Sequence, residues 1–192
     1  MKSTYEWVIV RIDGQIAAIS TDYAALATIT AKLAQQKSPA HKEITAVTVG
    51  FDEVWEIRKN AKWEDLLLFG TDFQKKVWKK LYELTRPENN GSLTPRLISY
   101  SDFAELCQNR AGVRAVAHAV GLNPISILIP CHLVVPKEAI DKMKMINKKA
   151  EATIFKGDDL CFNSILDDNS IDFGEYALGR KLKRELIKME FA

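Results

Sequence analysis

The sequence has few cysteines and histidines, the residues that form disulfide frameworks and most zinc sites. Of its 192 residues, only three are cysteine and three are histidine. An odd number of widely spaced cysteines argues against a disulfide framework and against a Cys-rich zinc site, and with only three histidines no metal-ligand spacing appears, so we expect no metal. We also expect no cofactor. The cysteines are Cys107, Cys131 and Cys161, and the histidines are His41, His118 and His132.

Long apolar runs are also absent. No stretch of the sequence approaches the roughly 20 apolar residues that a helix needs to cross a bilayer. Residues 1–6 lack the apolar segment of a secretory signal peptide. We therefore expect a cytoplasmic protein without membrane contact. Its length is that of one large domain or two small ones.

Charge is unevenly distributed, although the net charge of the whole chain is only +2. Residues 70–136 carry eight basic and five acidic side chains, and residues 176–192 carry five and two. Between them, residues 137–175 carry six basic and nine acidic side chains. Two basic segments therefore flank an acidic one, a distribution that permits the binding of a polyanion without requiring it.

The first third has the pattern of a small α/β domain, and we find no chemical motif in it. Alternating apolar residues and the Asp13-Gly14 turn predict a β-hairpin near the N-terminus. Strands are predicted over residues 6–12, 15–20, 44–49, 54–58 and 66–69, and a helix over residues 23–36.

From residue 70 onward the pattern is mostly helical. Thr71 with Gln74 three residues later forms a capping-box pattern, and Ser99 is a second helix start. A third helix is predicted from Val113 to Val120, ended by a Gly-Leu-Asn-Pro sequence. The two short helices, with a tight turn between them, predict a helix-turn-helix. Further helices are predicted over residues 137–150 and 176–190.

The third of these helices has an unusual surface. Ala115, Ala117 and Ala119 are small, and Arg114 is its only long cation. The alanines could let the helix pack closely on a neighbour, with Arg114 solvated. Alternatively, the small side chains could allow the helix to enter a groove, with the Arg114 guanidinium as the one long side chain that reaches into it.

The adjacent residues Cys131 and His132 are the strongest candidates for catalysis. The apolar residues 125–129 predict a strand that stops at Pro130, because proline cannot donate a ladder hydrogen bond. The thiol and the imidazole would then lie at the end of a buried strand, where a nucleophilic cysteine is usually presented. The competing interpretation is a buried structural cysteine, which is common.

Taken together, the segments from Gly70 onward resemble the O6-alkylguanine-DNA alkyltransferases, also called methylated-DNA–protein-cysteine methyltransferases. The matching stretches, in order, are Gly70–Gln74 with Val77-Trp78, Ser99-Tyr100, Arg114–Val116, Asn123-Pro124, Pro130–His132, and the closing Tyr176, Lys183, Leu186-Ile187 and Glu190. The resemblance implies an RNase H-like α/β N-terminal domain over residues 1–69. It implies a mostly α winged helix-turn-helix domain over residues 70–192, with an insertion at residues 137–175.

The resemblance also implies a DNA-repair enzyme that acts once per molecule and, as a monomer, binds double-stranded DNA containing O6-alkylguanine. Cys131 resembles the thiol that accepts the alkyl group irreversibly, His132 the base that takes the thiol proton through a water, and Glu190 the carboxylate that orients the imidazole. Asn123 matches the residue that ties the recognition helix to the active-site strand. The residues matched to DNA and substrate binding are Tyr100, Arg114, Ala115, Val134 and Tyr176.

Three of these matched residues have distinct implied tasks. Tyr100 crowds the target phosphate and helps to rotate the nucleotide, Arg114 fills the vacated place in the base stack, and the backbone carbonyl of Val134 reads the base. Such parts are needed because the target atom lies inside the duplex, and flipping the base costs a few kcal/mol. Binding would occur in the minor groove, where small side chains allow close approach.

The sequence departs from the family pattern at several points. Leu133 stands where the family has arginine, and Ala117 and His118 replace two glycines of the recognition helix. The insertion could lie aside as a surface segment, or cover the site as a lid. Two alternatives to repair therefore remain: a non-catalytic, alkyltransferase-like lesion-binding module, and a diverged protein that has lost DNA repair activity.

Overall fold

The structure, a computed structural model, describes residues 5–21, 43–86, 96–153 and 165–191, together with the isolated positions 23, 27 and 31. The chain divides into two units. Unit 1 comprises residues 1–93 and 118–131, and unit 2 comprises residues 94–117 and 132–192. The domain boundary expected between residues 69 and 70 remains a prediction. The helix expected over residues 23–36 lies almost entirely outside the described residues.

A three-stranded antiparallel sheet forms the centre of unit 1. The strands are β1 (Trp7–Ile12), β2 (Gln15–Ser20) and β3 (Ile44–Val49), in the order β2-β1-β3. Asp13 and Gly14 connect β1 to β2 with φ angles of 50° and 82°, and positive φ at both central residues is what a tight type I′ hairpin requires. The three strands and the turn confirm the predictions for these residues.

The prediction of a strand over residues 54–58 is wrong. These residues lie in helix α1 (Phe51–Asn60), which has acidic residues in its first turn and basic residues in its last. That arrangement complements the helix dipole, and the rings of Phe51 and Trp55, one turn apart, stack with centroids 5.3 Å apart. The strand predicted over residues 66–69 is also absent, since Leu66 forms only an isolated bridge to Ile16.

Helix α2 (Asp72–Glu83) begins at the predicted capping box. The Thr71 side chain accepts a hydrogen bond from the Gln74 backbone N–H, and the Gln74 side chain accepts one from the Thr71 N–H. The buried Trp78 of α2 donates from Nε1 to the carbonyl of Ala119 at 2.8 Å. Gly70 is required before this helix, because a Cβ there would lie 2.7 Å from the Trp78 ring.

Residues 125–129, predicted as a strand, instead form a turn. They meet β2 at one point, where Ser126 donates to the Ile19 carbonyl at 3.1 Å. The backbone then reverses through Ile127, whose φ is 71°. A β-branched residue at positive φ is strained, so the surrounding packing must hold it there. An apolar run shows that these residues are buried, but it does not distinguish a buried turn from a buried strand.

Unit 2 combines a short parallel strand pair with helices. β4 pairs with β5 through Ile98↔Val134 and Ser99↔Val135. The helices confirm the elements predicted near residues 99, 113–120, 137–150 and 176–190. The elements are β4 (Ile98–Ser99), α3 (Tyr100–Leu106), a 3₁₀ turn (Arg110–Gly112), α4 (Val113–Gly121), a 3₁₀ turn (Cys131–Leu133), β5 (Val134–Val135), α5 (Lys137–Thr153) and α6 (Arg180–Glu190). The residues of α4 divide between the two units after Ala117.

Candidate active site

The start of α3 positions Tyr100 next to the β4–β5 strand pair. Ser99 is the last residue of β4 and the N-cap of α3, and its hydroxyl accepts from the Asp102 backbone N–H at 3.1 Å. This cap fixes the first turn of the helix and therefore Tyr100, its half-buried first residue. The ring of Tyr100 lies 5.8 Å from the Lys183 ammonium, which in turn donates to the Val134 carbonyl at 2.9 Å. Tyr100 and Val134 are thus linked through one lysine.

A buried histidine–carboxylate pair lies in unit 2. His132 Nε2 lies 2.6 Å from Glu190 Oε1, and the two side chains are 0% and 1% exposed. Burying either group alone would be costly, because a charge or polar atom removed from water needs a partner. The last turn of α6 supplies the carboxylate and the turn before β5 supplies the imidazole. The pair expected from the sequence is therefore in direct contact.

In unit 1, Asn123 organises the turn that leads to Cys131. Its side-chain oxygen accepts from the Ile125 backbone N–H at 3.0 Å, and its Nδ2 donates to the Ile129 carbonyl at 2.8 Å. The same Nδ2 lies 3.1 Å from the sulfur of Cys131, which is buried. An N–H directed at sulfur stabilises a thiolate more than a thiol, because the hydrogen bond is then charge-assisted.

Cys131 and His132, two members of the predicted trio, are adjacent in the sequence but belong to different units. Cys131 is the last residue of unit 1, and His132 begins the second segment of unit 2. Within unit 1, the thiol accepts a hydrogen bond from the Asn123 amide. Within unit 2, the imidazole is held by the Glu190 carboxylate.

The remaining predicted site residues lie at or near the surface. Arg114 and Ala115 are exposed on α4, and within the described residues the Arg114 guanidinium has no hydrogen-bond or ion-pair partner. Tyr176 is half-buried in the segment that precedes α6.

Lys183 was not predicted as a site residue. It is 1% exposed, and its ammonium donates to the carbonyls of Val134 and Glu175, at 2.9 and 3.3 Å. The signal in the sequence was its position: Lys183, Ile187 and Glu190 share one face of α6 at helical spacing, so that a lysine stands in the buried stripe. A fully buried lysine is unusual and indicates a specific task.

Leu133, the departure from arginine, is completely buried. An apolar side chain suits this position, because it needs no partner for a buried charge. The substitution is therefore compatible with the local packing around His132.

In the part of the chain that the structure describes, we find no group of three or more His, Cys, Asp or Glu residues placed to hold a metal ion. Cys107 and Cys131 are both reduced, buried thiols. Among the described helices, none is long and apolar enough to cross a membrane.

Comparison with known proteins finds matches in the second part of the chain. Residues 72–152 match the family model of the 6-O-methylguanine DNA methyltransferase DNA-binding domain. A probable methylated-DNA–protein-cysteine methyltransferase of Acanthamoeba polyphaga mimivirus is 48% identical over 73 residues, which are 38% of this chain and 44% of that protein. The methylated-DNA–protein-cysteine methyltransferase of Haemophilus influenzae is 42% identical over 69 residues, 36% of this chain and 34% of that protein. These matches span less than half of each relative's length.

A solved structure extends the similarity to almost the whole chain. The O6-methylguanine-DNA methyltransferase of the archaeon Pyrococcus kodakaraensis is 21% identical, with a TM-score of 0.50, over 96% of this chain and 91% of that one. At this identity the likeness concerns the fold alone. The observed small sheet followed by helices agrees with the coarse fold class that we expected from the sequence.

Proposed function

We propose that this chain is a methylated-DNA–protein-cysteine S-methyltransferase. It transfers an alkyl group from O6-alkylguanine in double-stranded DNA to Cys131. The proposal is supported by the match of residues 72–152 to the family model of the 6-O-methylguanine DNA methyltransferase DNA-binding domain. The observation that carries the proposal is the buried His132–Glu190 pair, 2.6 Å apart, directly after a cysteine. A structural cysteine would need no oriented base beside it.

The proposed reaction is a single displacement. His132 accepts the Cys131 proton through a water, and Glu190 stabilises the imidazolium that forms. The thiolate then attacks the alkyl carbon, so that a C–S bond forms as the bond from carbon to O6 breaks. Guanine takes the electron pair of the broken bond and regains a proton. The resulting thioether is stable, and the protein is consumed.

The parts around the thiol have separate tasks in this proposal. Asn123 stabilises the thiolate and holds the turn that presents it. Lys183 fixes the Val134 carbonyl that reads the flipped base, and Tyr100 and Tyr176 form the substrate-binding surroundings. Arg114 enters the duplex from the exposed side of α4, with Ala115 allowing close approach to the groove.

The fold details belong to the same proposal. We propose that residues 1–69 form an RNase H-like domain, and that residues 70–192 form a winged helix-turn-helix domain, with α3 and α4 as the helix pair. The protein would act as a monomer in the cytoplasm, without a cofactor. The match of residues 72–152 to a DNA-binding domain supports the choice of double-stranded DNA as the partner.

A test on the DNA distinguishes repair from recognition alone. A duplex with one O6-methylguanine is incubated with the protein, and its nucleosides are then quantified. We expect O6-methylguanine to be converted to guanine by the wild type and not by Cys131→Ala, while Cys107→Ala, which changes the other buried thiol, keeps the activity. Tight binding of the lesion by the wild type without conversion would instead identify a non-catalytic lesion-binding module.

A further inference from the structure

The insertion at residues 137–175 is not required by the proposed chemistry, yet it packs against the helix that carries Glu190. One buried apolar cluster joins α5, residues 165–173 and α6, and Phe191, directly after Glu190, packs against it. The buried members are Val135, Ala139, Met143, Ile165, Leu166, Ile171, Phe173 and Ile187. The described residues of this segment, 137–153 and 165–175, thus contribute to the core of unit 2.

Arg184 is the strongest polar link between this insertion and α6. Its guanidinium donates to three backbone carbonyls of the insertion, to Leu166 at 2.8 Å, to Asp168 at 3.1 Å and to Ile171. The same group lies 4.8 Å over the ring of Phe173. Three carbonyls and an aromatic face around one side chain suit the flat, multiply donating guanidinium, and a lysine ammonium could not reproduce them all.

Two weaker polar contacts also attach residues 167–170 to helices α5 and α6. Lys188 of α6 pairs with Asp167, and Lys142 of α5 donates to the Ser170 carbonyl at 2.8 Å. The Ser170 backbone N–H donates to Asp168 Oδ1 at 2.8 Å, and the hydrogen bonds from Ser170 lower the pKa of the Asp168 carboxyl. Exposed ion pairs contribute little by themselves, so Arg184 and the apolar cluster carry most of the attachment.

The contacts between residues 165–173 and α6 lie next to Glu190, at the C-terminal end of the helix. Glu190 is the last residue of α6, and helix ends fray more readily than helix centres. A carboxylate at the C-terminal end of a helix also faces the negative end of the helix dipole. Without support, the last turn of α6 would therefore not hold Glu190 at one place beside His132. Ile187, Lys188 and Phe191, all in contact with the insertion or its cluster, flank Glu190.

We propose that Arg184 is a positioning residue, which, through the insertion segment 165–173, holds the last turn of α6 and thereby the His132–Glu190 pair. The effect of Arg184 on catalysis rests on the proposed function, whereas its effect on the position of Glu190 does not. In this inference the described residues 137–153 and 165–173 buttress the helix that carries the partner of the general base.

The test observes the pair directly, in the absence of DNA. In protein labelled with [15N]histidine, the ring N–H of His132 that is hydrogen-bonded to Glu190 should give a downfield, slowly exchanging proton resonance, assigned by its absence in Glu190→Gln. We expect Arg184→Ala to lose or broaden this resonance while remaining folded, and Arg184→Lys to show an intermediate effect. Lys181→Ala, which removes an exposed cation from the same helix, should match the wild type.

Methyl transfer measured on the same variants adds the functional readout. We expect Arg184→Ala to slow the transfer by about 10- to 100-fold, because small displacements of catalytic groups have effects of this size, with affinity for DNA unchanged. If Glu190 is already replaced by Gln, adding Arg184→Ala should cost little more, since both changes then act through one interaction.

Two outcomes would overturn the inference. One is an Arg184→Ala protein with the His132 resonance and the transfer rate of the wild type. The other, if Arg184→Ala does not fold, is an Arg184→Lys protein that retains both in full. A wild type that shows the resonance but transfers no methyl group would refute the proposed function alone, and loss of the resonance in Arg184→Ala would still establish the positioning.

Discussion

At the scale of single residues, Glu190 has the clearest consequence for chemistry. Its carboxylate lies 2.6 Å from His132 Nε2, and both side chains are almost completely buried. Glu190→Gln keeps the shape of the side chain and removes its charge, so that an imidazolium would no longer be stabilised. We expect the rate of methyl transfer to fall by about 100-fold, with unchanged binding of lesion-containing DNA. Single-turnover kinetics under excess protein measure this rate.

Glu185→Gln is the matched control for that variant. Glu185 lies on the same helix, and within the described residues it has no hydrogen-bond or ion-pair partner. Its substitution should leave the transfer rate at the wild-type value. Equal losses in both variants would mean that α6 tolerates no change of charge, and the special role of Glu190 would be refuted.

Asn123 offers a second test, on the thiol itself. Its Nδ2 lies 3.1 Å from Cys131 Sγ, and a hydrogen bond to a charged group contributes about 1.5–3 kcal/mol. Asn123→Ala should therefore lower the thiolate fraction, and with it the alkylation rate of Cys131 by a small electrophile, by about tenfold. Mass spectrometry of iodoacetamide labelling at several pH values follows this rate.

Asn60→Ala serves as the control, because Asn60 is exposed and donates only to the Glu56 carbonyl among the described contacts. Faster labelling of Cys131 in a folded Asn123→Ala protein would indicate that the asparagine shields the thiol and does not activate it.

At the scale of secondary-structure elements, α4 is the element that should meet the duplex. Arg114 is exposed on it, and a guanidinium that replaces an extruded base reduces the cost of flipping. We expect Arg114→Ala to slow transfer from duplex DNA by about tenfold, and to leave transfer from the isolated O6-methylguanine base unaffected. The two rates are compared in one series of single-turnover assays.

Arg110→Ala removes another exposed cation, from the 3₁₀ turn before α4. This variant is the control for general attraction to DNA. We expect it to lower the affinity for the duplex without a specific effect on base flipping. An Arg114→Ala protein that loses activity equally on duplex and isolated base would exclude the role in flipping.

The elements also show which sequence signals were sufficient. The hairpin at Asp13-Gly14 and the cap at Thr71 were predictable, because a positive φ and a capping side chain depend on a few neighbouring residues. Residues 54–58 were misassigned, since apolar positions in a short segment fit a strand and a helix alike. Local sequence could not predict the turn at residues 125–129, because Asn123 and contacts to β2 fix it.

The site could be predicted only in part. The family resemblance predicts Cys131, His132 and Glu190 as a set, and the structure confirms the contact between His132 and Glu190. Lys183 pairs with a carbonyl 49 residues earlier in the chain, and Arg184 pairs with carbonyls of residues 166–171. Spacing along the sequence predicts neither pairing, because each depends on how β5, residues 165–173 and α6 pack.

At the scale of the whole molecule, charge should govern association with DNA. The basic segments 70–136 and 176–192 flank the acidic residues 137–175. Each phosphate that is neutralised contributes about −0.9 to the slope of log K against log salt concentration, so we expect a slope more negative than about −2. Fluorescence anisotropy with a labelled duplex gives this slope. A flat response would support a diverged protein that no longer binds DNA.

The central claim is that Cys131 is the acceptor of the alkyl group. The measurement that tests it most directly is intact-protein mass spectrometry, with peptide mapping, after incubation with an excess of duplex containing O6-methylguanine. The account predicts one added methyl group per protein molecule, about 14 Da, on the peptide that contains Cys131 and no further gain with time. An unmodified protein, or a methyl group on any other residue, would contradict it.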